Sequence, residues 1–173
     1  MFFLEDLPNS EILEAFAKRF PEMEVDATQA CLKMLWIASH LIRDLEAQFA
    51  KHGLSQARFL VLIVLERTTA KHLMPVEMAK QLGISKKNTA RVLSFMEADD
   101  LVTRSSHESD GRASLVSITP KGSKLLAEAM PDYYQVLNRA MKPLSRNAKC
   151  RLIQLLDQLG QPRTEDERRK RPT

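Results

Sequence analysis

A short segment near the middle of the sequence carries positive charge and no acidic residue. Every charged side chain between Ala79 and Met96 is basic, and Glu97, Asp99 and Asp100 follow directly. The basic residues are Lys80, Lys86, Lys87 and Arg91. Cations along a short helix bind phosphate, and ammonium and amide groups hydrogen-bond base edges, so the pattern indicates polyanion binding. A basic helical face alone is more often simply solvated, so its surroundings must decide.

The surrounding elements have the outline of a helix-turn-helix. Pro75 starts a short helix that ends at Gly83, and Ser85 can cap a second helix from about Lys86 to Ala98. At about 100° per residue, the second helix separates a docking side from a basic side. The docking side is Thr89, Val92, Leu93 and Met96, and the opposite side is Lys87, Arg91 and Ser94. We therefore expect the basic side to be presented to a ligand.

The first turns of this second helix are the expected contact with nucleic acid. Free N–H groups and the helix dipole favour phosphate there, and recognition helices contact bases mainly through their first turns. Asn88 suits adenine, a lysine suits guanine or phosphate, and Arg91 is better placed for phosphate. The candidates are Ser85, Lys86, Lys87, Asn88, Thr89 and Arg91.

A β-hairpin is expected directly after this helix. Residues 102–104 and 115–118 have the pattern of strands, and the polar residues 105–111 separate them. Arg104 and Arg112 flank the tip, from which arginine can enter a narrow minor groove. Phosphate would repel Asp110, so we interpret Asp110 as orienting an arginine.

A second candidate site lies on a long helix near the N-terminus. Trp36, His40 and Arg43 share one side, together with Gln29 and Lys33, opposite an apolar stripe of Met34, Ala38, Leu41 and Leu45. A tryptophan beside a histidine and an arginine can stack on and hydrogen-bond a small aromatic acid. The alternative, which the residue type favours, is that Trp36 packs against a neighbouring helix or a dimer partner.

The cysteines and histidines give little support for other chemistry. Cys31 falls in the apolar stripe of the long helix, so we interpret it as a small core residue rather than an oxidation sensor. The four histidines have no metal-ligand spacing, and we expect no metal and no cofactor. Without a phosphate loop, a nucleophile motif or paired carboxylates, the sequence does not favour an enzyme.

The remaining chain is expected to be helical. We predict helices over Ser10–Phe20, from a cap at Asp26 to about Lys51, and from a cap at Ser55 through the apolar run Phe59–Leu65. Thr119 and Pro120 open a helix that we expect to be interrupted at Pro131 and to reach Met141, and Ser145 introduces a last helix through Leu159. Residues 161–173 are expected to form a charged, flexible tail.

Composition narrows the class of protein further. With 173 residues, the chain suits one architectural unit, and a net charge of +4 is compatible with a polyanionic partner. Two cysteines in helical patterns do not form a disulfide scaffold. No apolar run is long enough for a bilayer and the N-terminus does not look like a signal peptide, so we expect a cytoplasmic protein without membrane contact.

Five ordered motifs resemble the MarR (multiple antibiotic resistance regulator) family. They are residues 53–56 (GLSQ), 77–85 (EMAKQLGIS), 101–104 (LVTR), 110–112 (DGR) and 118–122 (ITPKG), and the resemblance covers about Asp26 to Leu159. It implies a homodimer with interlocked terminal helices, a wing around Asp110 and Arg112, and repression relieved by a small phenolic or lipophilic effector or by oxidation. Asp100 stands where the family commonly has glycine, but aspartate tolerates left-handed backbone better than most residues.

These patterns together predict a mainly α winged helix-turn-helix with a small β-hairpin wing and dimerisation helices at both ends. The expected segments are an N-terminal extension (1–24), a dimerisation and linking helix (25–54), the DNA-binding domain (55–118), C-terminal dimerisation helices (119–160) and the tail (161–173). The expected function is a homodimeric repressor on pseudo-palindromic duplex DNA, released by a small aromatic effector. The alternative is a winged-helix interaction or architectural DNA-binding protein without effector response.

Overall fold

The computed structural model describes residues 5–106 and 114–160, which contain seven helices and three short strands. In chain order these are α1 (Ser10–Arg19), α2 (Val25–Lys51), α3 (Gln56–Arg67), β1 (His72–Leu73), α4 (Pro75–Leu82), α5 (Lys86–Ala98), β2 (Val102–Ser106), β3 (Ser114–Ile118), α6 (Pro120–Met141) and α7 (Arg146–Gly160). The chain divides into two compact units, Met1–Val136 and Leu137–Thr173. The described helices include none that is long and apolar enough to cross a membrane.

Short polar side chains start most of the predicted helices. Ser55 and Ser85 each accept a hydrogen bond from a backbone N–H three residues later, as the sequence predicts, and Ser145 does the same for α7. Asp26 is an exception, because α2 begins at Val25 and places Asp26 inside its first turn. The cap position is Glu24, which makes no side-chain capping bond. The predicted cap at Asp26 was therefore wrong, although a carboxylate in the first turn still suits the helix dipole.

Helix α3 lies at the centre of the core of the first unit. Phe59, Val61, Leu62 and Leu65 are fully buried, but Leu60 is exposed, so the expected enclosure of this apolar helix holds for one side and not all round. The Phe59 ring stacks on Phe49 of α2 with their centroids 4.1 Å apart. The same core takes side chains from every element of the helix-turn-helix and from the sheet, among them Met78, Leu93, Met96, Val102 and Val116. Burial of these side chains is what fixes α4 and α5 in place.

The predicted hairpin is present, and it belongs to a three-stranded antiparallel sheet of order β1-β3-β2. Val102 pairs with Ile118 and Ser106 with Ser114 along β2 and β3. Strand β1 adds only two residues, of which His72 pairs with Ser117. Strand β1 was not predicted from the sequence, because two residues are too few for an alternating pattern.

Asp100, Thr119 and Gly122 form a tight junction between the end of α5 and the start of α6. Asp100 has a left-handed backbone with φ of 58°, which confirms that aspartate fulfils the role of the expected glycine. The Thr119 hydroxyl donates to the Asp100 carbonyl at 2.7 Å and accepts from the Gly122 N–H at 3.0 Å. A Cβ built on Gly122 would lie only 2.2 Å from the Leu101 carbonyl oxygen. Only glycine fits where the two chain segments approach so closely.

Helix α6 is continuous from Pro120 to Met141, so the predicted interruption at Pro131 was wrong. Proline removes one intrahelical hydrogen bond, and burial on both sides of it can offset that loss. Ala129 and Val136 of α6 are buried, and Asp132 binds the Nε2 atom of His52 at 3.0 Å. These contacts hold α6 in place on both sides of the proline.

The turn after α3 is fastened by one carboxylate. Glu66 accepts from the Lys71 ammonium at 3.1 Å and from the Ser123 hydroxyl at 3.2 Å. The hydrogen bond from Lys71 lowers the pKa of Glu66 below its ordinary value. Lys71 itself has a left-handed backbone with φ of 57°. Glu66 thus links the end of α3 to the start of α6.

Helix α7, in the second unit, has a polar start and an apolar side that is exposed in the single chain. None of its described residues is buried, and Ile153, Leu155, Leu156 and Leu159 are exposed. Helix α1 shows the same feature at Ile12 and Phe16, and Phe20 directly after it is also exposed, while Leu13 is buried. Apolar surface of this extent is unusual on a monomer.

Candidate nucleic-acid interface

Helices α4 and α5 form the predicted helix-turn-helix, and local sequence explains each end. Glu77 accepts a hydrogen bond from the Met74 N–H at 3.1 Å and so caps the start of α4 behind Pro75. Gly83 ends α4 in the left-handed conformation, with φ of 65°. Ser85 then caps α5 by accepting from the Asn88 N–H at 3.2 Å. The turn between the helices is therefore short and fixed at both ends.

One side of α5 is buried as predicted, and this side includes one of the expected DNA contacts. Thr89, Leu93 and Met96 have no exposed surface. The Thr89 hydroxyl donates to the Ser85 carbonyl at 3.1 Å. The assignment of Thr89 to the DNA-contacting set was wrong, because its hydroxyl is satisfied inside the helix and its side chain is buried. The position of Thr89 on the docking side of the helical wheel predicted its burial correctly.

The opposite side of α5 presents the other candidates together. Ser85, Lys86, Lys87, Asn88 and Arg91 are all exposed. The side chains of Lys86, Lys87, Asn88 and Arg91 have no hydrogen bond or ion pair with any described residue. Three cations and one amide therefore surround the start of a helix whose free N–H groups add partial positive charge. This geometry suits a phosphate backbone with base edges beside it.

The hairpin contacts α5 through Arg104 of β2. The Arg104 guanidinium donates to the Ser94 hydroxyl at 3.2 Å and pairs with the Glu97 carboxylate, with Nε and Oε2 3.1 Å apart. In the chain without DNA, Arg104 therefore lies against α5, and its predicted entry into a DNA groove stays a prediction. The Glu97 carboxylate on α5 attracts the Arg104 guanidinium toward that helix. Asp110 and Arg112 lie outside the described residues.

A second arginine fixes the far end of α5 and was not predicted from the sequence. Arg58 of α3 pairs with the Asp99 carboxylate and donates to the Gly53 carbonyl at 3.3 Å. Lys121 of α6 donates to the Asp99 carbonyl at 2.7 Å. These contacts pair the acid that follows α5 with cations of other elements. In the sequence, an acidic run follows the basic helix, but this run does not indicate which cations bind Asp99.

On α2, His40 contacts both Trp36 and Arg43. The Trp36 and His40 ring centroids are 3.9 Å apart. The His40 Nδ1 atom is 2.9 Å from the Trp36 carbonyl oxygen, and an Arg43 Nη atom is 2.9 Å from His40 Nε2. A neutral imidazole protonated at Nδ1 satisfies both bonds. The Trp36 indole N–H donates to the Glu5 carbonyl at 3.0 Å, so the chain before α1 lies against this cluster.

Cys31 is exposed on α2, which corrects its placement in a buried stripe. Met34 in the same stripe is also exposed, while Leu41 and Leu45 farther along are half-buried. The stripe reaches the core only where α2 approaches α3, toward Phe49. Within the described residues, no group of three His, Cys, Asp or Glu side chains could hold a metal ion.

Comparisons with known proteins agree with this architecture. The sequence model of the MarR family matches residues 52–113. The transcriptional repressor YetL of Bacillus subtilis is 24% identical over 156 residues, which are 90% of this chain and 93% of the relative. The transcriptional repressor MprA of Escherichia coli is 27% identical over 155 residues, which are 88% of this chain and 86% of the relative.

Solved structures share the fold at low sequence identity. Sco3205 of Streptomyces coelicolor, a MarR family transcriptional regulator in complex with DNA, superposes with a TM-score of 0.74 at 18% identity. That match covers 82% of this chain and 91% of Sco3205. Bordetella bronchiseptica BpsR, whose DNA binding is regulated by 6-hydroxynicotinic acid, gives a TM-score of 0.69 at 21% identity, over 78% of this chain and 94% of BpsR. The motifs, the winged helix-turn-helix and these comparisons agree: the chain is similar to transcription regulators of the MarR family, whose sequence model its residues 52–113 match.

Proposed function

We propose that the chain is a repressor that binds pseudo-palindromic duplex DNA as a homodimer, with one α5 in the major groove of each half-site. The observation that carries this proposal is the start of α5, where the exposed side chains form no ion pair with a described acidic residue and the opposite side of the helix is held in the core. These side chains are Lys86, Lys87, Asn88 and Arg91. The names of YetL and MprA, both transcriptional repressors, support the direction of regulation. Residues 55–118 form the DNA-binding domain in this proposal.

Asn88 is proposed to contact a base, while Lys86, Lys87 and Arg91 contact phosphates or guanine. An amide can both donate to and accept from adenine in the major groove, whereas phosphate contacts are indifferent to sequence. Replacement of Asn88 should therefore reduce discrimination between DNA sequences, whereas replacement of a phosphate-binding cation should weaken binding to every duplex.

Asn88→Ala is expected to reduce discrimination between DNA sequences by about 1–3 kcal/mol at one base pair per half-site. Its affinity for random duplex should change little, because the cations remain. Fluorescence anisotropy on the duplex enriched most strongly from a random pool, and on a shuffled duplex, measures both quantities. Asn138→Ala, at an exposed asparagine of α6, is the matched control and should behave like the wild type. Equal losses on both duplexes for Asn88→Ala would remove Asn88 from the base-contacting set.

The dimer is proposed from apolar surface at both ends of the chain. Phe16 of α1 is 52% exposed and Leu159 of α7 is 68% exposed, and each has further exposed apolar neighbours on its helix. Segments 1–24, 25–54 and 119–160 would bury these side chains against the partner subunit. A two-fold dimer also matches a site made of two half-sites about one helical turn apart.

Light scattering is expected to give about twice the 19.7 kDa chain mass at micromolar concentration. Leu159→Glu should shift the mass toward one chain, because it places a charge on the apolar side of α7. Lys149→Glu on the same helix is the control for added negative charge. A wild-type chain that stays monomeric at micromolar concentration would contradict the proposed assembly.

We further propose that a small aromatic carboxylate binds at Trp36, His40 and Arg43 and lowers the affinity for DNA. Arg43 is exposed, and its hydrogen-bond partner is an imidazole nitrogen rather than a carboxylate, so an incoming anion can take that place. The aromatic acid that regulates BpsR supports this ligand class. The competing interpretation is structural, and the bond from Trp36 to Glu5 favours it, because the indole N–H already has a partner.

An aromatic carboxylate such as salicylate is expected to quench the single tryptophan and to release DNA over the same concentration range. Arg43→Ala should raise the required concentration about tenfold, because a charged hydrogen bond to the ligand is removed, and should leave DNA affinity without ligand unchanged. Arg139→Ala on α6 is the control. If Arg43→Ala and Trp36→Phe both respond like the wild type, the cluster is structural and the architectural alternative gains support.

A further inference from the structure

Phe95 is a large apolar side chain on the exposed side of α5. Its exposed fraction is 62%, whereas Leu93 and Met96 beside it are fully buried. No aromatic ring contacts it in the described part of the chain. At about 100° per residue, Phe95 lies about 20° around the helix from Asn88, with Arg91 between them along the axis. Asn88, Arg91 and Phe95 thus form one line down the proposed DNA-facing side.

Among the residues that the structure describes, none depends on the Phe95 side chain for its packing in the core. Thr89, Leu93 and Met96 already fill the contact of α5 with the core. Strand β2 approaches α5 on another side, where Arg104 binds Ser94 and Glu97, and it leaves Phe95 uncovered. Phenylalanine is also a poorer helix former than alanine, lysine or arginine, so on an exposed surface it brings no gain to the isolated helix.

We propose that Phe95 determines sequence specificity by packing against the C5 methyl group of a thymine in the major groove. The inference rests on the proposed placement of α5. The thymine methyl is the apolar group that base pairs present in that groove, and phenylalanine is among the side chains that contact it. The cations beside Phe95 on the same side of α5 would hold the phosphates and bring the ring to the groove floor.

The position of Phe95 on the helix also places the thymine. Phe95 follows Asn88 by seven positions, which corresponds to about 10 Å along the helix axis. This length equals about three base pairs of B-form DNA at roughly 3.4 Å each. The thymine should therefore lie about three base pairs from the base that Asn88 contacts. A straight helix diverges from a curved groove along its length, and a long aromatic side chain spans that gap where a small residue would not.

Replacing single thymines by deoxyuridine tests this contact, because deoxyuridine lacks the methyl group and keeps the hydrogen-bonding edge. The probe is the duplex enriched most strongly from a random pool by the full-length wild-type chain. We expect one thymine per half-site at which deoxyuridine weakens wild-type binding about fourfold for each methyl group removed. Phe95→Ala should bind the thymine and deoxyuridine duplexes equally, whereas Arg91→Ala should bind both more weakly and keep the fourfold difference.

Further measurements distinguish an error in the proposed methyl contact from an error in the proposed function. If a preferred sequence is enriched and depends on Asn88, but no deoxyuridine effect disappears in Phe95→Ala, the methyl contact is overturned and the proposed function stands. A loss of dimer mass in Phe95→Ala would also overturn it, because a second copy of the chain would then cover the ring. If no sequence is enriched at all, the proposed placement of α5 in the major groove is overturned, and the methyl contact that depends on it is overturned as well. Circular dichroism of Phe95→Ala should match the wild type, since the ring is outside the core.

Discussion

Gly122→Ala is expected to destabilise the protein by about 3 kcal/mol, which is large for the addition of one methyl group. The new Cβ would lie 2.2 Å from the Leu101 carbonyl oxygen and 3.0 Å from the Ile118 side chain. The first of these is a backbone atom that a rotamer change cannot move, so the junction of α5 and α6 must open. The hydrogen bond from the Thr119 hydroxyl to the Asp100 carbonyl, and the one from the Gly122 N–H to the Thr119 hydroxyl, would be strained as well. Chemical denaturation at fixed protein concentration measures the loss of unfolding free energy.

Two other glycines provide matched controls for this substitution. Gly160→Ala should change the unfolding free energy little, because nothing lies within 4 Å of its Cβ position. Gly83→Ala also meets open space, but its φ of 65° should cost about 1–2 kcal/mol. The expected order of destabilisation is Gly122, then Gly83, then Gly160. A Gly122→Ala protein as stable as Gly160→Ala would show that the close approach to Leu101 does not exist in solution.

The double replacement Lys87→Glu and Arg91→Glu is expected to reduce affinity for the enriched duplex at least about a hundredfold at physiological salt. Both side chains are exposed, and no described residue pairs with either, so the folded chain should lose little stability. The two carboxylates would face phosphate at the start of α5. The slope of log affinity against log salt should also flatten, by about one for each phosphate that is no longer bound. Anisotropy titrations across a salt series measure both effects.

Net charge alone would produce a smaller effect, and a second double variant separates the two causes. Lys18→Glu with Lys51→Glu, on α1 and α2, brings the formal net charge from +4 to 0 just as the first pair does. We expect this control to bind the enriched duplex within about threefold of the wild type, with an unchanged salt slope. Similar losses for the two double variants would indicate general electrostatic attraction instead of contact through α5.

Local sequence features predicted most of the DNA-binding architecture because their physics is short-range. Ser55, Ser85 and Ser145 bond backbone groups three residues away, so each helix start follows from its own neighbourhood. Asp100 was expected to accept the left-handed conformation of the turn, and its φ is 58°. The helical wheel of α5 separated buried from exposed residues by period alone.

The wrong or missing predictions depend on contacts between distant parts of the chain. Arg104 lies against Glu97 and Ser94 because β2 crosses beside α5, which no local pattern reveals. Pro131 stays inside α6 because core contacts on both sides hold the helix. Cys31 is exposed because α2 extends past the core of its own chain. Thr89 was assigned to DNA by residue type although its position on the wheel placed it inside.

Helix α5 is expected to contact DNA in a sequence-dependent way, and a comparison of two duplexes tests this contact directly. The wild-type chain would be titrated with the enriched duplex and with a shuffled duplex of the same length and base composition, at one physiological salt concentration. We expect binding to the enriched duplex to be at least about a thousandfold tighter. Equal affinities for the two duplexes, with equal salt dependence, would contradict sequence recognition by α5 and favour an architectural DNA-binding protein.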